Sequence, residues 1–136
     1  MKKIQNNTID LTDLPDLADI YSLAYRAIDR LPARYRPYTR NLIVRVENFA
    51  DEETLYSLDM TNKNDLLGLY RGVPLPLKGA NDGSTLPDVI FLFRGPLILY
   101  ARDNDEDIEK LIDNVMIHEV SHHFGFQDLN REFMED

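Results

Sequence analysis

Residues 108–125 read IEKLIDNVMIHEVSHHFG, and this segment contains all three histidines of the 136-residue chain. Its apolar residues recur at intervals of three and four, which is the spacing of one face of an α-helix. Several acidic residues lie just before it, where the N-terminus of a helix favours negative charge. The pattern predicts a helix from about Asp105 to Phe124. Gly125 then ends the helix, because glycine readily adopts the left-handed conformation.

The histidines are spaced as His118-Glu119-x-x-His122, which predicts a metal site. Positions i and i+4 share a helix face, so His118 and His122 can direct both imidazoles at one ion. They continue the apolar stripe, and we expect both rings to emerge from the buried face. Glu119 lies one residue further round, where it can take a proton from a water bound to the ion. The turn at Gly125 brings Asp128 back toward the pair, and two imidazoles with one carboxylate leave a fourth zinc position open, as in catalytic sites.

A solvated helix that happens to be rich in histidine is the alternative to a metal site. A His-Glu-x-x-His match arises by chance on the order of once in tens of thousands of windows, and the added glycine and aspartate reduce this by roughly another hundredfold. The metal site is therefore the favoured interpretation. His123 points about 100° away from the ligand pair, so we expect it to support a ligand or to lie on the surface.

The pattern His118-Glu119-x-x-His122-x-x-Gly125-x-x-Asp128 resembles the extended zinc-binding motif of the metzincin-like metallopeptidases, in the form with aspartate as third ligand. More closely, the chain resembles the minimal zincins, a family of small bacterial proteins. Two further segments occur in that family's order before the motif, and the likeness covers roughly the last 70 residues. These segments are Gly68-Leu69-Tyr70-x-Gly72-x-Pro74-Leu75 and Pro87-Asp88-Val89-Ile90-x-Leu92-Phe93-Arg94.

The resemblance implies a zinc-dependent metallopeptidase that hydrolyses peptide bonds in a peptide or protein substrate. His118, His122 and Asp128 would hold one zinc ion per chain, and Glu119 would be the catalytic acid and base. A carboxylate ligand also makes another divalent metal tolerable, although zinc is favoured. In many zincins the substrate lies along an exposed sheet edge as an added strand, and a segment within Asp88 to Arg94 is the candidate for that edge.

A non-catalytic metal-binding protein is the second interpretation, in which the ion ties the C-terminal tail to the helix. Glu132 or Glu135 would then close the fourth position of the ion, whereas a structural site has no use for Glu119. The third interpretation is an acidic interaction module. Only eight residues follow Asp128, so we expect a shallow cleft that a second copy, as in a homodimer, or a docking protein completes.

Composition restricts the remaining classes of function. A length of 136 residues fits one domain, residues 1–136. The absence of cysteine restricts any metal site to imidazole and carboxylate ligands. The formal charge of −9 argues against nucleic acid as a partner, since phosphate binding needs concentrated Lys and Arg. No apolar run is long enough to cross a membrane, and the N-terminus does not resemble a signal peptide, so we expect a cytoplasmic protein.

The order of the elements predicts an α+β fold, with a small mixed β-sheet packed on two main helices and the metal site on the C-terminal helix. The first helix has Thr12 or Asp13 as its cap and ends at Pro32. Strands are predicted at 42–49 and 88–93, a short helix at 51–58, and a turn or short strand at 66–70. Gly95-Pro96 breaks the second strand before an apolar segment at 97–101.

Overall fold

The computed structural model describes residues 14–72 and 87–125, which form an α+β fold. The helices are α1 (Leu17–Asp29), α2 (Glu52–Ser57), α3 (Arg94–Asp103) and α4 (Ile108–Phe124), and the strands are β1 (Leu42–Glu47), β2 (Gly68–Arg71) and β3 (Asp88–Phe93). Short 3-10 helices lie at Ala33–Thr39 and Lys63–Asp65. The predicted fold class is confirmed, and α4 is the helix that carries the histidines.

The sheet has the order β1-β3-β2, with β3 parallel to β1 and antiparallel to β2. β3 therefore lies in the middle, and the prediction that this segment forms an exposed edge is wrong. The reason is visible in its residues: Ile90 and Leu92 are fully buried on one face, while Val89 and Phe91 are half-buried on the other. A strand that is apolar on both faces suits the centre of a sheet. The edges of the sheet formed by the described residues are β1 and β2.

The main core lies between one face of the sheet and the two longest helices, α1 and α4. Its completely buried side chains are Ile20 and Ala24 of α1, Ile90 and Leu92 of β3, Leu97 of α3, and Ile112 of α4. A smaller cluster of Ala50, Leu55 and Phe93 fills the space between α2 and the opposite face of the sheet. The sheet packed on two main helices is thus as predicted, and α4 is fixed to the sheet along most of its length.

Several element ends differ from the prediction because local caps decide them. α1 begins after Asp16, whose carboxylate accepts a hydrogen bond from the Asp19 N–H, while residues 12 and 13 lie outside the described residues. α4 begins three residues later than expected, because Asp107 caps it by accepting from the Glu109 N–H. Asp105 has a positive φ of 51° and therefore cannot be part of a right-handed helix. Asp59 has a similar φ of 58°.

The apolar segment after Gly95-Pro96 is helical and belongs to α3. Pro96 lies in the first turn of this helix, where its missing N–H costs no hydrogen bond. The glycine and proline therefore start a helix at the end of β3.

No helix of the described residues is long and apolar enough to span a membrane.

Candidate metal centre

The last turns of α4 bring His118, Glu119 and His122 together, as their spacing predicts. Each offers a ligand atom, and these atoms lie within 4.8 Å of one another. The two imidazole rings are 4.6 Å apart between centroids. A pair of imidazoles beside a carboxylate is a donor set that suits zinc. The side chains present therefore fit a divalent metal ion.

The two histidines lie at the exposed margin of α4, which corrects the expectation that they emerge from its buried face. The side chain of His122 is half exposed, and His118 is exposed as well. The fully buried stripe instead runs through Ile112, Met116, Val120 and its neighbours, about one residue round from the predicted stripe. An ion bound here could be reached by water and by a substrate.

Glu119 is the member of the group that is buried, with only 6% of its surface exposed. Its Oε1 lies 3.3 Å from Nδ1 of His122. Burial raises the pKa of the Glu119 carboxyl, while the nearby His118 and a hydrogen bond from the backbone N–H of Tyr70 act in the opposite direction. The carboxyl is thus held in place, next to the imidazoles, with a higher affinity for a proton than in water.

The edge strand β2 supplies the backbone donor to Glu119. The Phe93 N–H donates to the carbonyl of Leu67, and in an antiparallel pair the residues that bond to the partner strand alternate with those that point away. Gly68 and Tyr70 therefore direct their backbone groups away from β3, toward the edge of the sheet formed by the described residues. An added Cβ on Gly68 would lie 2.8 Å from Val115 Cγ1, so the glycine allows β2 to lie close to α4.

A second group of polar residues lies behind the metal-binding face, and we call it the Asp88–His123–Tyr70 network. Nδ1 of His123 lies 3.2 Å from the Asp88 carboxylate and 3.1 Å from the Tyr70 hydroxyl. Nε2 of His123 donates to the Tyr38 carbonyl at 2.9 Å, since a carbonyl can only accept. His123 is 3% exposed, so it is not a surface residue and its supporting contacts are made away from the ligand pair. Burial, together with the Asp88 carboxylate, raises the pKa of Tyr70.

Sequence reasoning did not find the roles of Asp88 and Tyr70. A signal was present for Asp88, because a carboxylate opens an otherwise apolar strand and is 7% exposed in the fold. A buried carboxylate needs a partner. For Tyr70 the contribution is a backbone N–H, which side-chain patterns do not reveal.

Asp128 lies outside the described residues, and so do Glu132 and Glu135, so their contacts with the histidines remain predictions. What the structure does show is the end of α4, which precedes them in the chain. Gly125 follows the last turn of α4 with φ 73°, and its N–H donates to the carbonyl of His122. This is the left-handed C-terminal cap predicted from the sequence.

We expect Gly125→Ala to lower the free energy of unfolding by about 1 kcal/mol, because a Cβ is strained at this positive φ. Urea denaturation of the metal-free proteins measures the change. Gly125→Asn is the matched control. Asparagine tolerates the left-handed region, so the free energy of unfolding of this variant should fall by less than that of Gly125→Ala. Equal stability of the alanine variant and the wild type would contradict the proposed strain.

A His-Glu-x-x-His helix beneath the edge strand of a small mixed sheet is the arrangement of a zincin. The sequence profile of the Zincin-like metallopeptidase family matches residues 39–135, and the chain belongs to that family. The matched range includes all three strands together with α4. Comparison with curated proteins gave no match.

Proposed function

We propose that this protein is a zinc-dependent peptidase that hydrolyses peptide bonds, with His118, His122 and Asp128 as metal ligands and Glu119 as general base. The observation that carries the proposal is the buried Glu119 carboxylate beside two exposed imidazoles, close to β2, an edge strand of the sheet that the described residues form. A structural metal site has no need of a carboxylate in that place. Family membership supports the same class of reaction.

A zinc ion held by these residues would polarise the scissile carbonyl and make a nearby water a stronger acid. The position of the Glu119 carboxylate among the candidate ligand atoms supports its proposed role in taking the proton from that water. Its raised pKa makes it a better base than an exposed glutamate. The same carboxyl, once protonated, can hand the proton to the leaving amine.

The substrate segment is proposed to lie along β2, an edge strand, because β3 lies in the centre of the sheet. Gly68 directs its N–H and carbonyl toward that edge, and Tyr70 directs its carbonyl there, while the Tyr70 N–H donates to Glu119. An extended peptide can pair with such groups as an added strand. The scissile bond would then cross over the face of α4 that carries His118 and His122. Completion of the cleft by a second copy or a docking protein remains part of the proposal.

The alternative is a metal-binding protein without activity, in which the ion holds the tail to α4. The position of Glu119 argues against it. A carboxylate whose burial raises its pKa lowers the stability of the folded chain at neutral pH, and a purely structural site would lose nothing by replacing it.

A hydrolysis assay with an unfolded protein substrate such as casein tests the proposal. We expect cleavage by the zinc-loaded protein, loss of cleavage after treatment with a chelator, and recovery when one equivalent of zinc is added back. New N-termini in the products, measured by mass spectrometry, establish that peptide bonds are broken. Absence of cleavage by the zinc-loaded chain over a broad peptide library would favour the structural alternative.

A further inference from the structure

The Asp88–His123–Tyr70 network joins the first residue of β3, the end of α4 and the edge strand β2. Asp88 and His123 are almost completely buried. Burying ionisable groups is unfavourable, and apolar residues of similar volume often hold elements together as well or better. General stability therefore gives no reason for a polar group here. A requirement for orientation does, because hydrogen bonds fix direction as well as distance.

Tyr70 connects this network to Glu119, because its side-chain hydroxyl contacts the network and its backbone N–H contacts the glutamate. Its hydroxyl lies 3.1 Å from His123 Nδ1 and also hydrogen-bonds with Asp88. Its backbone N–H, at the other end of the residue, donates to Glu119. A displacement of the tyrosine ring would therefore move the donor that holds the general base.

We propose that Asp88 and His123 are positioning residues, which hold Tyr70 so that its backbone N–H keeps the Glu119 carboxylate beside the imidazoles. The catalytic consequence rests on the proposed function, whereas the positioning itself does not. The close approach of the chain just after β2 supports it: a Cβ added to Gly72 would overlap the carboxylate of Asp88. The end of this strand therefore lies directly against the network.

Amide hydrogen exchange at Tyr70, followed by NMR in the metal-free protein, tests the positioning. We expect Asp88→Leu and Tyr70→Phe each to lower protection of the Tyr70 amide at least tenfold, with a smaller change at Leu69, whose N–H faces β3. Asp88→Asn keeps an acceptor of the same shape and should restore protection to within a few fold of wild type. Glu119→Ala removes the acceptor itself, so this variant gives the protection of the Tyr70 amide when it has no hydrogen bond to Glu119.

Ile20→Val is the matched control, because it opens a small cavity in the main core and leaves the network intact. If Asp88→Leu changes Tyr70 and Leu69 by the same factor, as we expect of this control, the network is merely structural and the proposal is overturned. Unchanged protection of Tyr70 in Asp88→Leu and Tyr70→Phe would overturn it as well.

Peptide hydrolysis provides the second measurement. We expect Asp88→Leu to lower kcat at least tenfold with one zinc still bound per chain, and Asp88→Asn to recover most of that loss. If the wild type itself cleaves no peptide, the proposed function fails while the exchange experiment still decides whether Asp88 holds Tyr70. A loss of zinc in Asp88→Leu would show that the network supports the ligands instead, against the proposal.

Discussion

Glu119→Gln should lower the rate of peptide hydrolysis by about 10²- to 10⁴-fold, the usual contribution of a positioned general base. Glutamine has nearly the same shape and can still accept the Tyr70 N–H through its amide oxygen. It cannot take up a proton at neutral pH. The loss should therefore fall on kcat, with little change in the fold, and steady-state kinetics on a defined peptide measures it.

The zinc content of the variant provides the control. Glu119→Gln should retain one zinc ion per chain, measured by plasma mass spectrometry after dialysis without chelator. Glu119→Asp, which keeps the carboxylate but shortens the side chain, should recover part of the rate. Equal rates in wild type and Glu119→Gln would mean that this residue is not the base.

Removal of a metal ligand should have the second large effect. Loss of a partner that merely orients a ligand already lowers metal affinity about 10- to 100-fold, so loss of a ligand should exceed this. We expect about one zinc ion per wild-type chain and almost none after dialysis of His118→Ala, His122→Ala or Asp128→Ala. The stoichiometry can be measured on proteins purified side by side.

A comparison of two carboxylates separates the candidate third ligands. Glu119 lies in the group with the histidines, while Asp128 is predicted from its spacing. Zinc retained by Glu119→Gln and lost by Asp128→Ala would establish the open site of a peptidase. Zinc retained by Asp128→Ala, but lost by Glu132→Gln or Glu135→Gln, would point to a site closed by the tail.

The grouping of His118, Glu119 and His122 was predictable because it depends on one helix. The i, i+4 spacing of His118 and His122 is preserved wherever the helix lies, and the left-handed Gly125 needs only local sequence. The exposure of the two rings was not predictable in this way. It depends on how far α4 is rotated against the sheet, and the fully buried side chains at Ile112 and Met116 determine that rotation.

The order of the strands also lay beyond the local pattern. β3 was predicted with its correct ends, yet its place in the centre depends on pairing with β1 and β2, which are distant in sequence. The same holds for the contact between Asp88 and His123, which lie in different elements. Asp88 and His123 can each be singled out in the sequence, but only the fold brings them within hydrogen-bonding distance.

The burial of Glu119, together with the proposed metal site, would link the lifetime of the protein to the supply of metal. Its pKa is higher in the folded chain than in the unfolded chain, so the free energy of unfolding falls as the pH rises through the interval between the two values, and it stays lower at neutral pH. An ion bound to the proposed ligands stabilises only the folded chain and offsets this loss. If zinc is that ion, its scarcity would leave more of the chain unfolded and open to cellular proteases. We therefore expect the abundance of this protein to rise and fall with the zinc content of the cell.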